Sequence, residues 1–226
     1  MPPAKTGRWD EAGTVQGFST AGPNRVLLEF VRVELARRSE LRILDVGCGA
    51  ARNAAPMAAL GGTVIGLDVS WPMLAGARRR VASDNVAGRV WLVRAPMDDL
   101  PIEDASADLV VAHGIWNLAR CAAEFRRGVA EAARVARPGA GLFLFTFSRN
   151  TLPSDATPVP GEPFVFTQFA GEPQCFLTEE QVTDELLAAG WERDPPGPLT
   201  EYNRPVGGIP QGAPVVYEGT FRRRHA

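Results

Sequence analysis

The sequence is poor in cysteine and histidine, which limits the metal and redox chemistry that it can support. Its three cysteines, Cys48, Cys121 and Cys175, form no CxxC pair and no Cys/His cluster with metal-ligand spacing. Unclustered cysteines in odd number are typical of reduced thiols. We therefore expect a cytoplasmic protein without a metal site, in which Cys175 is a buried thiol rather than a ligand for a soft metalloid.

Long apolar runs and an excess of one charge are also missing. No apolar run approaches the roughly 18 to 20 residues that span a bilayer, and the first residues lack the apolar core of a secretory signal. We expect neither membrane insertion nor export. The 24 Lys and Arg residues balance 26 Asp and Glu residues, so no strong field favours a nucleic acid partner. The basic run 222–224 is interpreted as a solvated chain end.

An alternation of β-rich and helical segments occupies the middle of the chain. Such alternation is typical of parallel strands joined by helical crossovers. Two later segments, 199–202 and 215–221, are predicted to pair antiparallel at the far edge. The expected fold is an α/β doubly wound, mostly parallel seven-stranded sheet with helices on both faces. The five parallel strands are predicted at Leu41–Val46, Thr63–Asp68, Arg89–Arg94, Ala107–Ala112 and Gly141–Phe147.

The chain length of 226 residues fits one large domain in three parts. Residues 1–39 are predicted to form an irregular arm, over 1–22, followed by a helix from Pro23. Residues 40–148 form the predicted core. Residues 149–226 would add a Pro-rich insertion, a helix and the terminal strands.

Capping residues and apolar spacing predict three further helices. Ser70 before Trp71-Pro72 is a suitable N-cap, and Thr178 with Gln181 matches a capping box. The latter helix would bury Val182, Leu186 and Leu187. An apolar stripe that ends before Pro138-Gly139 predicts the third helix. The stripe contains Leu118, Ala122, Phe125, Val129, Ala132, Ala133 and Ala136.

A glycine turn at the end of the first predicted strand is the strongest functional signal. Gly47 and Gly49 allow the backbone to turn sharply and approach a ligand without a Cβ atom in the way. A dinucleotide-binding turn has a third glycine where this sequence has Arg52, which disfavours NAD or FAD. Asp45 is a poor neighbour for a phosphate but suits a cationic ammonium group.

A second acid follows at the end of the second predicted strand, because Asp68 lies 21 residues after Gly47. A carboxylate at this position can accept hydrogen bonds from both hydroxyls of a ribose. Together with Asp45 it predicts a nucleoside ligand with an amino-acid-like end. The structural alternative is that Asp45 and Asp68 merely cap helices.

These residues resemble the class I S-adenosylmethionine-dependent methyltransferases, over roughly residues 41–148. The resemblance implies a Rossmann-like fold, S-adenosylmethionine as cofactor and S-adenosylhomocysteine as product. It assigns Asp45, Gly47, Cys48 and Gly49 to the first cofactor motif and Asp68 to the ribose. It also places Val69 and Met73 near the adenine.

The segment after the third strand resembles the family's D-x-x-x-L-P region, but Pro96 occupies the position of the expected acid. Adenine recognition then falls to the backbone of Pro96 and Met97, or to a shifted Asp98. The run Gly49 to Asn53 also has the CGxxRN pattern of tellurite-resistance and thiopurine-type methyltransferases. That pattern adds Asn53 to the cofactor residues, although Arg52 and Asn53 are equally suited to an ordinary helix start.

The resemblance places the loop His113-Gly114-Ile115-Trp116-Asn117 beside the transferable methyl group. His113 has two open roles: a proton acceptor near neutral pH, or a hydrogen-bonded structural residue of the cofactor pocket. Trp116 would either form a wall near the sulfonium or pack in the core. Methyl transfer is an in-line displacement that needs positioning more than a base.

The methyl acceptor is expected to be a small, partly apolar molecule. Family members that methylate DNA or protein amides carry an Asp/Asn-Pro-Pro-aromatic segment that this sequence lacks. Two other functions stay open: a nicotinamide-dependent oxidoreductase and a non-catalytic cofactor-binding module. The oligomeric state is not specified by the sequence. Aromatic residues available for an acceptor pocket or lid are Trp9, Phe18, Phe164, Phe166, Phe169, Tyr202 and Tyr217.

Overall fold

The computed structural model of the chain describes residues 7–204 and 213–225. The helices are α1 (Ala12–Thr20), α2 (Arg25–Ala36), α3 (Ala54–Ala59), α4 (Trp71–Ser83), α5 (Ala122–Val135) and α6 (Glu179–Ala188). The strands are β1 (Arg42–Val46), β2 (Thr63–Asp68), β3 (Val90–Arg94), β4 (Ala107–His113), β5 (Ala136–Phe147), β6 (Val165–Phe166), β7 (Gln174–Cys175), β8 (Trp191–Arg193), β9 (Thr200–Tyr202) and β10 (Val216–Arg223).

The main sheet is parallel in its centre and antiparallel on its C-terminal side. Its order is β3-β2-β1-β4-β5-β10-β8, and β9 also pairs with β10. Strand β10 runs antiparallel beside β5. Because β9 pairs with the start of β10 and β8 with its end, these two short strands share the seventh position. The predicted mostly parallel, doubly wound sheet is confirmed, but β8 is an additional strand and β10 is not the edge.

Alternate residues of the central strands pack on opposite faces of the sheet. On one face, Val110 and Ala112 of β4 join the core formed with α5 and α6. On the other face, Leu109 and Val111 pack with residues of α2, α3 and α4. The connection 95–106 from β3 to β4 contains no helix. Helices cover both faces, as predicted, but Trp91 of β3 stays 51% exposed beside this helix-free connection.

The predicted helix caps are present. Ser70 Oγ accepts a hydrogen bond from Met73 N at 3.2 Å, and Thr178 and Gln181 form the capping box of α6. Three details of the apolar stripes are wrong. Ala136 is not helical but is the first residue of β5, so this strand begins at Ala136 and not at the predicted Gly141. Leu187 is 41% exposed on α6, and Leu118 lies in a 3-10 turn before α5, which begins only at Ala122.

The prediction of an irregular N-terminal arm is wrong for its described part. Residues Gly7–Asp10 form a 3-10 turn and α1 follows directly. Tertiary contacts stabilise this helix: Arg80 Nη1 donates to the carbonyl oxygens of Ser19 at 3.3 Å and Ala21 at 3.1 Å. These bonds satisfy carbonyls that a helix end leaves without partners. Residues 1–6 of the predicted arm lie outside the described residues.

The C-terminal part also differs from the sequence prediction. The Pro-rich segment 153–163 has no helix or strand, as expected, but the hairpin β6–β7 follows it. The basic run is not a solvated end, because Arg222 lies in β10 and forms ion pairs with Glu34 and Asp194. None of the described helices has the length and hydropathy of a membrane span.

Candidate functional site

The glycine turn lies where β1, β2 and β4 end at the same edge of the sheet. Val46 pairs with Leu67 of β2 and with Ala112 of β4. Gly47 and Gly49 have φ angles of +72° and +53°, a region that residues with a Cβ atom avoid. A Cβ atom on Gly47 would also lie 2.7 Å from the Ile115 side chain. The backbone here requires glycine.

Asp68 ties this turn to the start of α4. Its Oδ2 accepts from Gly49 N at 2.9 Å and its Oδ1 accepts from Ser70 N at 2.8 Å. Burial raises the pKa of Asp68, and the backbone hydrogen bonds oppose that rise. Each carboxylate oxygen has two lone pairs, so both oxygens can still accept a ligand hydroxyl. The carboxylate borders a cavity and is suited to a diol.

Asp45 is a buried acid with one oxygen that has no protein partner. Its side chain is 2% exposed, and no described residue donates a hydrogen bond to Oδ2. Burial raises its pKa to about 7, the positive charge of Arg52 opposes this, and the negative charge of Asp68 adds to it. A buried carboxylate in this state favours a cationic partner.

A cavity of about 200 Å³ opens at this edge of the sheet. It contains most of the predicted cofactor residues, and Asp98 and Leu118 also border it. The predicted residues that line it are Gly47, Gly49, Asp68, Val69, Met73, Pro96, Met97 and His113.

Four predicted site residues are not among those that line the cavity. Asp45, in β1, and Cys48 are both buried. Asn53 Oδ1 accepts from Asn24 N at 3.0 Å, so it fixes the start of α2. Trp116 is 1% exposed and packs edge-on against Phe125, with ring centroids 6.2 Å apart. Of its two open roles, core packing is therefore the one that the geometry supports.

The aromatic wall of the cavity comes instead from the N-terminal helical segment. Trp9 and Phe18 line the cavity and contact each other edge-to-face, with centroids 5.6 Å apart. Ser70 Oγ donates toward Asp10 Oδ1 at 2.6 Å and the Trp9 carbonyl oxygen at 3.1 Å. Of the other candidate aromatics, Phe164, Phe166 and Tyr217 are buried in the core, and Phe169 and Tyr202 are partly exposed away from this cavity.

His113 lies at the cavity in a polar and aromatic setting. Its ring stacks on Phe145 at a centroid distance of 4.3 Å. Burial, and after it the positive charge of Arg52, lowers its pKa to about 3. The imidazole is therefore neutral at physiological pH and a weak base, which favours the structural role over proton acceptance.

Asn24, which the sequence analysis did not identify, connects His113 to the rest of the fold. Its Nδ2 lies 3.2 Å from His113 Nε2 and 2.6 Å from Glu218 Oε2, while its Oδ1 accepts from Leu27 N at 3.0 Å and caps α2. Tyr202 donates to the other oxygen of Glu218 at 3.0 Å. Only the N-cap role of Asn24 has a sequence signal, an Asn directly before an apolar helical pattern.

Asp98 also lies at the cavity, and it accepts from Arg127 Nη2 at 2.9 Å. No group of His, Cys, Asp and Glu with the geometry of a metal site occurs among the described residues. The site thus combines a diol acceptor, a buried acid, an apolar wall and a glycine turn. These features fit a nucleoside with a cationic amino-acid end, because the ribose hydroxyls match Asp68 and the ammonium group matches Asp45.

Comparison with known proteins gives concordant matches. The family described as "Methyltransferase domain" matches residues 43–139. A demethylmenaquinone methyltransferase of Parafrankia sp. (strain EAN1pec) is 30% identical over 204 residues, which cover 77% of this chain and 79% of that protein. The demethylmenaquinone methyltransferase of Clavibacter sepedonicus is 38% identical over 113 residues, but this match covers 50% of the chain and only 43% of that protein.

A solved structure agrees with these sequence matches at the level of the fold. A SAM-dependent methyltransferase of Methanosarcina mazei superposes with a TM-score of 0.69 at 18% identity, covering 91% of this chain and all of that protein.

Proposed function

The chain belongs to the class I S-adenosylmethionine-dependent methyltransferases, and we propose that its methyl acceptor is a small, partly apolar molecule bound beside the glycine turn. When bound, the cofactor supplies a methyl group on a sulfonium, which is open to in-line displacement. The one observation that carries the residue assignment is the convergence of Gly47, Gly49 and Asp68 on a single cavity.

We assign the polar residues by their hydrogen-bonding capacity. Asp68 accepts the two ribose hydroxyls through lone pairs that its bonds to Gly49 N and Ser70 N leave free. Asp45 pairs with the ammonium group, since its Oδ2 has no donor among the described residues. Gly47 and Gly49 leave room for the amino-acid end of the cofactor.

We assign the adenine to the apolar part of the cavity, between Val69, Met73 and Met97. Pro96 has no backbone N–H and cannot donate to the ring. The Asp98 oxygen that does not bind Arg127 lies on a cavity residue and can accept from the adenine amino group. The sequence offers two alternatives for adenine recognition, the backbone of Pro96 and Met97 or the side chain of Asp98. Substitution of Asp98 distinguishes between them.

Catalysis in this proposal depends on alignment and exclusion of water rather than on a strong base. His113 is neutral and fixed by Asn24, so it contributes shape and a defined hydrogen-bonding edge at the cavity. Trp9 and Phe18 cover the apolar side. An acceptor with a planar apolar part would fit between these walls.

The relatives' names suggest one acceptor to include in a screen, because several are called demethylmenaquinone methyltransferases. A hydroquinone is both planar and partly apolar, in agreement with the cavity wall.

The location and the partners of the protein remain predictions. We expect a cytoplasmic protein that binds neither nucleic acid nor a membrane. The free cysteines, Cys48, Cys121 and Cys175, are compatible with a reducing compartment.

The test of the site is calorimetric titration with S-adenosylmethionine and S-adenosylhomocysteine. Asp68→Asn keeps the size of the side chain but replaces one acceptor oxygen with a donor, so we expect affinity to fall about 10- to 100-fold. Asp155→Asn, at an exposed position, is the matched control and should bind normally. Equal affinity of the wild type and Asp68→Asn would remove Asp68 from the site.

Turnover is then tested with a panel of hydroquinones, phenols, thiols, amines and chalcogen oxyanions, with released S-adenosylhomocysteine as the readout. Turnover of a planar hydroxylated aromatic supports the proposed acceptor class. Turnover confined to charged, non-aromatic acceptors would contradict it. Binding of NAD in place of the methyl donor would revive the oxidoreductase alternative.

A further inference from the structure

Arg52 is a half-buried cation next to the cavity residues His113 and Phe18, and its hydrogen-bonding capacity is largely unused by the described residues. It occupies the position of the third glycine of a dinucleotide-binding turn. Its only side-chain hydrogen-bond contacts with the described residues are to the His113 ring, where Nη2 lies 3.1 Å from Nδ1 and 3.3 Å from Nε2. Its guanidinium also lies 6.0 Å from the centroid of the cavity residue Phe18.

These contacts do not satisfy the guanidinium. A donor almost equidistant from both ring nitrogens does not lie along the in-plane lone pair of either one. The second proton of Asn24 Nδ2 already goes to Nε2, because its first goes to Glu218 and its Oδ1 accepts from Leu27 N. The neutral ring therefore carries its own proton on Nδ1 and has no acceptor left for Arg52.

Arg52 also has no direct ion pair. No carboxylate of a described residue lies within the 4.0 Å that defines an ion pair with its guanidinium. The charge of Asp45 is near enough to raise the pKa of Arg52, whereas burial, the larger effect, and Arg80 lower it. Thus a buried acid and a half-buried guanidinium lie near each other without contact, and each has hydrogen-bonding capacity that no described residue uses.

An α-amino acid zwitterion complements this arrangement, because it carries a cation and a bidentate anion on one carbon atom. We propose that Arg52 binds the carboxylate of the cofactor's amino-acid end while Asp45 binds its ammonium group. This inference rests on the proposed function and adds a residue to it. The fork of a guanidinium matches a carboxylate through two parallel hydrogen bonds.

The test compares S-adenosylmethionine with its decarboxylated analogue, which keeps the ammonium group but lacks the carboxylate. Calorimetry on the wild type should show about 10- to 100-fold tighter binding of the carboxylated ligand. Arg52→Gln should lose most of this preference by weakening only the carboxylated ligand. Arg52→Lys should keep part of it, because a point charge remains without the fork.

Arg120→Gln is the control, since Arg120 borders the same cavity but its side chain is 61% exposed. This variant should keep the wild-type preference. A wild type that binds both ligands equally overturns the inference without any variant, as does an Arg52→Gln protein that keeps the full preference. Loss of acceptor binding alone in Arg52→Gln would also overturn it. If the wild type binds neither ligand, the proposed function itself fails.

Discussion

The amide of Asn24 joins a helix cap and a cavity residue in one side chain. Asn24→Asp keeps the oxygen that caps α2, but it removes the donors to His113 Nε2 and Glu218 Oε2 and places a second carboxyl group beside Glu218 and the ring. We therefore expect the pKa of His113 to rise in this variant from about 3 toward its ordinary value. Asn24→Ala, which also loses the donor but adds no charge, should give a smaller rise.

Nuclear magnetic resonance titration measures this directly, because the sequence has only two histidines. Substitution of His225 assigns the remaining imidazole signal to His113. The groups around the ring are Arg52, Asn24 and, through Asn24, Glu218. An unchanged His113 titration in Asn24→Asp would show that Asn24 does not act on the ring.

Gly47 and Gly49 differ in how much space surrounds them, although both have positive φ angles. Alanine at Gly49 would meet its nearest neighbour, Phe18, only at 3.8 Å, whereas alanine at Gly47 would place its Cβ atom within 2.9 Å of three Ile115 atoms. We expect Gly49→Ala to cost about 1 kcal/mol in the free energy of unfolding, from backbone strain alone. Gly47→Ala should cost about 3 kcal/mol because it adds the clash.

Urea unfolding of the two variants measures the difference. Ile115→Ala combined with Gly47→Ala should recover part of the loss, since it removes the Cγ1 and Cδ1 atoms that clash but keeps Cβ and the backbone strain. Equal destabilisation by the two glycine substitutions would show that the contact with Ile115 relaxes without cost.

At the scale of elements, α2 and β10 are joined by a buried carboxylate. Glu34 is fully buried and accepts from Arg222 Nη1 at 3.0 Å and Nη2 at 2.9 Å. Burial raises the pKa of Glu34, but the hydrogen bonds and charges of Arg222 and Arg38 outweigh it and lower the pKa. The stability that Glu34 adds is therefore present above its ordinary pKa and is lost as pH falls through its lowered value.

We expect Glu34→Gln to lower the free energy of unfolding by about 3 kcal/mol at pH 7, because Arg222 keeps its charge and loses a partner. Glu29→Gln is the matched control on the same helix, since the pair of Glu29 with Arg32 is exposed on both sides. It should change stability by less than about 0.5 kcal/mol. Equal effects of the two substitutions in chemical denaturation would mean that solvent screens the Glu34 pair as well.

The sequence predicts the central strands well because burial on both faces leaves a clear apolar signal. Strand β2 has its predicted bounds, and β1 and β3 begin one residue later than predicted. Short strands such as β8, with three residues, carry too little pattern and depend on pairing with β10. Helix α1 escaped prediction because its Gly, Ser and Thr residues are poor helix formers, and Arg80 supplies the missing stabilisation from a distant segment.

At the scale of the whole molecule, the site residues that the sequence predicts are those at the carboxyl ends of the parallel strands. Gly47, Asp68 and His113 could be found because parallel strands bring their carboxyl ends to one edge. The Asn24 network could not, since it joins residues 89 and 194 positions apart through side chains alone. Trp9 and Phe18 reach the cavity because the 3-10 turn Gly7–Asp10 and α1 both pack on α4, contacts without a local sequence signal.

The buried carboxylate of Asp45 should lower the stability of the ligand-free protein when it is ionised. Asp45 has a pKa of about 7 in the folded protein against an ordinary value of 3.8. A group whose folded pKa is raised contributes stability at low pH and loses it as pH rises through the folded value. The folded state therefore bears the full cost of the ionised Asp45 above pH 7, because no described residue donates to its Oδ2.

Asp45→Asn removes this titration, so its stability relative to the wild type should improve between pH 5 and pH 8. The expected improvement is roughly 3 kcal/mol, for two pH units of one-proton linkage. Urea unfolding at both pH values measures it, and Asp155→Asn should show no such pH dependence. Saturating S-adenosylmethionine should then stabilise the wild type more than Asp45→Asn, because only the carboxylate can pair with the ligand's ammonium group. Equal stabilisation of both proteins would mean that Asp45 is not a ligand-binding residue, even if its titration destabilises the fold as expected.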